Sequence, residues 1–139
     1  LDMSPETYDD PDAGRLSGAR ILVVEDEFVI AMQLQSIFEE EGAQVLGPYH
    51  NVADALEHAG SDDISAASLD VNLGRETAAP VASVLAERNV PFVFYSVQTN
   101  DPAIADWRHV TMIQKPAAPS DLIEAIATLV QRRTTEVAE

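Results

Sequence analysis

The 139-residue sequence contains no cysteine, which excludes disulfides, thiolate nucleophiles and cysteine-ligated metal sites and gives no sign of an oxidising compartment. Positive charge is scarce: 24 acidic residues face 8 basic ones, and Lys115 is the single lysine. The resulting formal charge of −16 repels phosphate backbones and anionic lipid, so nucleic-acid and membrane binding are not expected; cations and basic protein surfaces are. No apolar run approaches the roughly 18 residues a bilayer-spanning helix needs. Residues 1–18 lack the basic start and apolar stretch of a signal peptide, so a cytoplasmic protein is the expectation. The three histidines, His50, His58 and His109, show no metal-ligand spacing.

What is present is enough for one core. Hydrophobic residues make up 46% of the chain and charged residues 23%, ordinary globular proportions, and the length suits one domain rather than two. Residues 1–18 combine five aspartates and glutamates with Pro5, Pro11, Gly14 and Gly18, a composition that predicts a flexible arm. Residues 134–139 are read as a short C-terminal tail, leaving 19–133 as the domain.

Within that domain short apolar strands alternate with helical patterns. Ile21-Leu22-Val23-Val24 reads as a buried strand running into Glu25-Asp26-Glu27. Residues 28–41 place Phe28, Ala31, Met32, Leu34, Ile37 and Phe38 at helical spacing and stop at Gly42. A strand over Gln44–Leu46 precedes a short helix capped by Asn51 and closed by Gly60. Ile64–Leu69 forms a third strand delivering Asp70, with Val71-Asn72-Leu73-Gly74 as a loop and a helix over 78–88. Pro91–Tyr95 is a fourth strand leading to Ser96, a short helix follows Asp101-Pro102, and Val110–Gln114 is a fifth strand ending at Lys115-Pro116. The last helix starts at Ser120-Asp121. Continuously apolar strands alternating with helices predict an α/β, doubly wound, five-stranded parallel sheet covered on both faces.

In such sheets ligands bind at the carboxyl ends of the strands, where Glu25, Asp26, Asp70, Ser96 and Lys115 all fall. Taken alone, each acid reads equally as a solvated loop residue, Ser96 as a strand terminator and Lys115 as a surface lysine. Together they form an oxygen-rich set suited to Mg²⁺. A carboxylate beside a metal and a lysine can attack a phosphoryl donor to form an acyl phosphate, with Asp70 the best-placed nucleophile and Lys115 the cation.

The ordered segments Val24-Glu25-Asp26-Glu27, Leu69-Asp70-Val71-Asn72-Leu73-Gly74, Pro91-Phe92-Val93-Phe94-Tyr95-Ser96 and Gln114-Lys115-Pro116 resemble the signature of response-regulator receiver domains, over roughly Arg20 to Arg133. The resemblance implies the flavodoxin-like sheet order 2-1-3-4-5 and phosphorylation of Asp70 from a histidine kinase or phosphotransfer protein. It implies Mg²⁺ held by Glu25, Asp26, Asp70 and the backbone carbonyl of Asn72, with Ser96 as switch hydroxyl and Lys115 pairing with the phosphoryl group. The Lys115-Pro116 bond is expected to be cis.

The chain departs from the family pattern in three places. Met112 stands where an aromatic usually takes part in the switch; its flexible thioether predicts a softer response. Phe94-Tyr95-Ser96-Val97-Gln98 resembles, without matching, the Phe-Ala-Thr-Gly-Tyr run of an atypical stand-alone subgroup. Ala117-Ala118-Pro119 lacks the phenylalanine often found after the lysine-proline pair. Asn72 and Gln98 flank the site two positions after the acceptor and the hydroxyl, where their amides can orient an attacking water.

The function implied is a stand-alone receiver in two-component phosphorelay signalling, not an enzyme beyond its own phosphorylation and dephosphorylation. It would act on a downstream protein, or as a phosphate shuttle or sink. A pseudo-receiver working by constitutive binding or dimerisation is the alternative. A homodimer through the face of the fourth helix, fifth strand and fifth helix, including Trp107 and Arg108, fits either reading. A hydrolase is disfavoured because Asp70-Val71-Asn72 lacks the second carboxylate of an Asp-x-Asp pair.

Overall fold

The computed structural model describes residues 14–138. Five parallel strands form the main sheet: β1 (Arg20–Val24), β2 (Gln44–Tyr49), β3 (Ala66–Leu69), β6 (Phe92–Ser96) and β7 (Met112–Gln114). Their order is β2-β1-β3-β6-β7, which is 2-1-3-4-5 when only strands of this sheet are counted. The remaining two strands, β4 (Asn72–Leu73) and β5 (Glu76–Thr77), pair antiparallel as a small hairpin. The helices are α1 (Phe28–Glu40), α2 (Val52–Ala59), α3 (Ala79–Glu87) and α4 (Pro119–Ala138), with a 3₁₀ segment over Pro102–Trp107.

Alternation along the strands builds two cores. Leu22, Val24, Ala67, Leu69, Phe92 and Phe94 face α2 and α3, meeting Val52, Ala55, Val81 and Leu85. Ile21, Val23, Ala66, Val93 and Tyr95 face α1 and α4, meeting Leu34, Phe38, Leu122 and Ile126. Because neighbouring side chains on a strand point to opposite faces, a strand apolar at every position can be buried on both sides.

Local signals set the helix ends. The Asn51 side chain accepts from the Asp54 N–H at 2.8 Å and starts α2. At the end of α1, Gly42 takes φ +92°, while its N–H and that of Ala43 donate back to the Glu39 and Phe38 carbonyls at 3.0 and 3.1 Å. That is a Schellman-type stop, in which the left-handed residue turns the chain out of the helix.

The third strand begins at Ala66 and not at Ile64, and the structure differs from the sequence reading at five further places. Residues 1–13 of the expected arm lie outside the described residues, but its last residues are packed: Leu16 is buried, and Arg15 pairs with Glu124 at 2.6 Å. One apolar residue anchored by backbone bonding to Glu41 was too weak a signal within an acidic stretch. The 134–139 tail continues α4 as far as Ala138, since no glycine or proline interrupts it. Strand β2 runs past Leu46 to Tyr49, through Gly47 at φ +96° and a cis Gly47–Pro48 bond. A Cβ at Gly47 would stand 2.6 Å from the Tyr49 nitrogen, so no other residue fits there. The expected loop at 71–74 is the β4–β5 hairpin, turned at Gly74-Arg75 with Gly74 at φ +70°. The expected fifth strand narrows to Met112–Gln114, with Val110 bonded back to the Trp107 carbonyl in the preceding turn.

Candidate functional site

Strand ends create the site. Backbone N–H groups of Glu25 and Asp70 donate to the Tyr49 and Val24 carbonyls, each at 2.9 Å, so the parallel ladder carries on past the last strand residues and fixes both acids at the sheet's carboxyl edge. Glu25 is fully buried, Asp70 is 6% exposed and Asp26 is open to solvent. One carboxylate oxygen from each lies within 4.8 Å of the other two. Lys115 reaches over from the end of β7, its Nζ 2.8 Å from Glu25 Oε1 and 3.0 Å from Asp70 Oδ2. The Lys115 N–H donates to the Ser96 carbonyl at 3.0 Å, and the Lys115–Pro116 peptide is cis.

Around these groups Asp26, Glu27, Asp70, Asn72, Ser96 and Lys115 line a cavity of ≈ 220 Å³. Ser96 is buried, and its Oγ accepts from the Gln98 N–H at 3.3 Å. Asn72 Nδ2 donates to Gln98 Oε1 at 3.0 Å, joining the loops that follow Asp70 and Ser96. Met112 is not part of this cavity. It pairs with Phe94 across β6–β7 and, with Trp107, packs on the α2–α3 side of the sheet.

Three contacts were not legible in the sequence. The Gly74 N–H donates to Asp26 Oδ2 at 3.1 Å, tying the hairpin to the acidic pair. His50 Nδ1 donates to the Glu25 carbonyl at 2.9 Å, and the Lys115 ammonium lies 5.6 Å from the centre of the Tyr95 ring. Each depends on chain segments far apart in sequence, and no spacing rule announces them.

The charge balance leaves room for a cation. Burial, reinforced by the adjacent Asp70 carboxylate and opposed by Lys115, pushes the Glu25 carboxyl up to about 8. Burial alone would lower Lys115, but Glu25 and Asp70 outweigh it, and the ammonium is held above its ordinary range. Glu25 Oε1 is buried and makes no aligned hydrogen bond, although Nζ is close enough for an ion pair. One ammonium pairs with two of the three carboxylates, and the remaining negative charge can be met by a shared proton or by a metal ion. An under-satisfied buried oxygen beside two further carboxylates is a donor set that fits Mg²⁺.

Residues 21–127 match the response regulator receiver domain family. The chain belongs to that family. A curated relative, the transcriptional regulatory protein PdtaR of Mycobacterium tuberculosis, is 29% identical over 125 residues, 87% of this chain and 61% of the relative. The receiver thus spans less than two thirds of that protein's length. Among solved structures, SdrG from Sphingomonas melonis Fr1 is 38% identical, covering 84% of this chain and 98% of that one at a TM-score of 0.71. A CheY-like receiver domain protein from Methanospirillum hungatei JF-1 shares the fold at a TM-score of 0.76 and 20% identity, covering 85% of this chain and 98% of that one. The receiver fold, with its sheet order, is the architecture built above from the strand alternation. Among the described residues no helix is long and apolar enough to cross a membrane.

Proposed function

We propose that this receiver accepts a phosphoryl group on Asp70 in a Mg²⁺-dependent reaction and passes the signal on through protein contacts in the cytoplasm. The observation that carries the reading is the cluster of Glu25, Asp26 and Asp70 with the chain's single lysine 2.8 Å from Glu25 and 3.0 Å from Asp70.

An Asp70 carboxylate oxygen attacks the phosphorus of a phosphohistidine on a histidine kinase or phosphotransfer protein. The O–P bond forms as the P–N bond breaks, and the bonding pair stays on the imidazole nitrogen, which takes up a proton. Glu25, Asp26, Asp70 and the Asn72 carbonyl would hold Mg²⁺, which when bound supplies charge neutralisation for the phosphoryl oxygens. Lys115 stands ready to pair with the phosphoryl group, releasing Glu25 or Asp70 as it does so. The Ser96 hydroxyl can donate to a phosphoryl oxygen, because its present partner, the Gln98 N–H, occupies only its acceptor side. Asn72 and Gln98, bridged amide to amide, orient the water that later hydrolyses the acyl phosphate.

The name of the mycobacterial relative points to control of transcription. With a net charge of −16, this chain would reach such an output through a protein target and not on nucleic acid itself. Incubation with acetyl phosphate, with and without Mg²⁺, followed by intact mass measurement, tests the reading. The expected result is a Mg²⁺-dependent phosphorylated species that Asp70→Asn lacks. A wild type that stays unmodified would instead favour a pseudo-receiver acting by constitutive binding.

A further inference from the structure

Besides its two carboxylates Lys115 has a third partner. The lysine side chain is 6% exposed, and its ammonium stands over the Tyr95 ring, 5.6 Å from the centre, inside the roughly 6 Å over which a ring face attracts a cation. Register brings the two together. Tyr95 pairs with Ile113 across β6 and β7, and the ladder continues to the Lys115 N–H, which donates to the Ser96 carbonyl. Lys115 lies two positions beyond Ile113, so the pleat starts ring and lysine from the same face of the sheet. The same tyrosine also holds the chain just after the lysine: its hydroxyl oxygen accepts from the Ala117 N–H at 3.3 Å. Tyr95 is 7% exposed and belongs to the core that it shares with Leu34 and Leu122, which leaves the ring little freedom to swing away. One side chain therefore grips the lysine at its charged end and at its backbone.

We propose that Tyr95 is the positioning residue for Lys115, its ring face steadying the ammonium and its hydroxyl fixing the turn that carries the lysine. The inference rests on the proposed function and deepens it. Exchange of partners supplies the reason. Glu25 and Asp70 hold the ammonium at 2.8 and 3.0 Å, but both are committed elsewhere during transfer. Asp70 loses its negative charge when one of its oxygens bonds phosphorus, and Glu25 belongs to the proposed Mg²⁺ set. The carboxylate partners are thus given up when Lys115 has to meet the incoming phosphoryl oxygens. The Tyr95 ring carries no net charge and takes part in neither event, so its quadrupole acts on the ammonium before and after transfer without competing for the anion. Burial strengthens the contact, because little water screens it. The phosphoryl group then meets a lysine already in place, and a fixed cation needs no reorganisation at the moment of reaction.

The test uses the full chain with phosphoramidate as donor in the presence of Mg²⁺. Tyr95→Phe keeps the ring and removes the hydroxyl. Pentafluorophenylalanine at the same position keeps the shape of phenylalanine but reverses the charge on the ring face, and Tyr95→Leu removes the ring altogether. The maximal labelling rate is expected to fall about threefold in Tyr95→Phe, for one lost hydrogen bond. It should fall about tenfold further in the other two, the size of a desolvated cation–π contact, with half-saturating phosphoramidate within about twofold throughout. A second readout needs no donor. Lys115 is the single lysine, so isotopic labelling of lysine side-chain nitrogen gives one ammonium resonance, which should shift between the phenylalanine and pentafluorophenylalanine proteins. Equal maximal rates for those two proteins would overturn the proposal, because packing alone would then account for the ring. So would an ammonium resonance that is the same in both. A wild type that phosphoramidate leaves unlabelled would overturn the proposed function and the positioning role together, and the resonance would then report a contact within the fold and nothing more.

Discussion

The two halves of the sheet are built to different standards of packing. On one side, β2, β1 and β3 with α1, α2 and α3 bury Leu22, Leu34, Phe38, Ala55 and Leu85 almost completely, and this half carries all three carboxylates. On the other, β7 is three residues long with Met112 and Ile113 half-buried, and the connection before it is a 3₁₀ segment, non-helical at Ile104, instead of a full helix. A groove of ≈ 470 Å³ beside it is lined by Ile104, Trp107, Arg108, Val110 and Met112, among others. The first half holds the costly cluster of charge. The second carries Ser96 on the fully buried β6 and Lys115 at the end of the thinly covered edge strand β7, where local opening costs least.

The sharpest way to break that contrast is to truncate the core on each side. Leu22→Ala is expected to lower unfolding free energy by about 3–4 kcal/mol, and Ile104→Ala by about 2 kcal/mol, since the neighbouring groove lets the second site collapse. Urea denaturation checks both, and equal losses would show the halves to be packed alike.

Removing the lysine tests the charge cluster. Lys115→Met leaves Glu25 and Asp70 buried without their counter-charge, an expected loss of about 3 kcal/mol. Millimolar Mg²⁺ should restore more stability to this variant than to wild type, read as the shift in urea midpoint. A variant indifferent to Mg²⁺ would argue against a metal site at these carboxylates.

A smaller effect is expected where the halves meet, at the Asn72–Gln98 amide bridge. Replacing both with alanine should slow hydrolysis of the acyl phosphate several-fold with little change in its formation. Radiolabel decay measures this, and an untouched rate would remove the amides from the mechanism.

The smallest effect belongs to the α2 surface, where Tyr49 stacks on His58 and His58 bonds Asp62 at 3.0 Å. That hydrogen bond holds the Asp62 carboxyl below its usual range. A lowered folded-state pKa means the ionised form adds stability above the unfolded carboxylate range, lost as pH falls through the lowered value. Asp62→Asn should therefore lower Tm slightly at neutral pH and leave it unchanged at the most acid end, flattening the acid limb of the profile; the loss is small because the pair is solvent-screened.

The sequence by itself determined the sheet and the chemical groups at its edge. Strands apolar at every position demand burial on two faces, and punctuation such as Asn51 and Gly42 marks the helix ends by local bonding alone. Glu25, Asp26, Asp70, Ser96 and Lys115 were legible because each ends a strand, and parallel strands put their ends on one side. Tertiary structure alone decided the rest. The Asp26 clip on the Gly74 hairpin, the pairing of His50 with the Glu25 carbonyl, the packing of Leu16 and the shortening of β7 all join segments whose separation along the chain carries no periodic signal. The exposure of Phe28, Val29 and Met32 is of the same kind: helical spacing places them on α1, but only the packed fold shows that they are left uncovered.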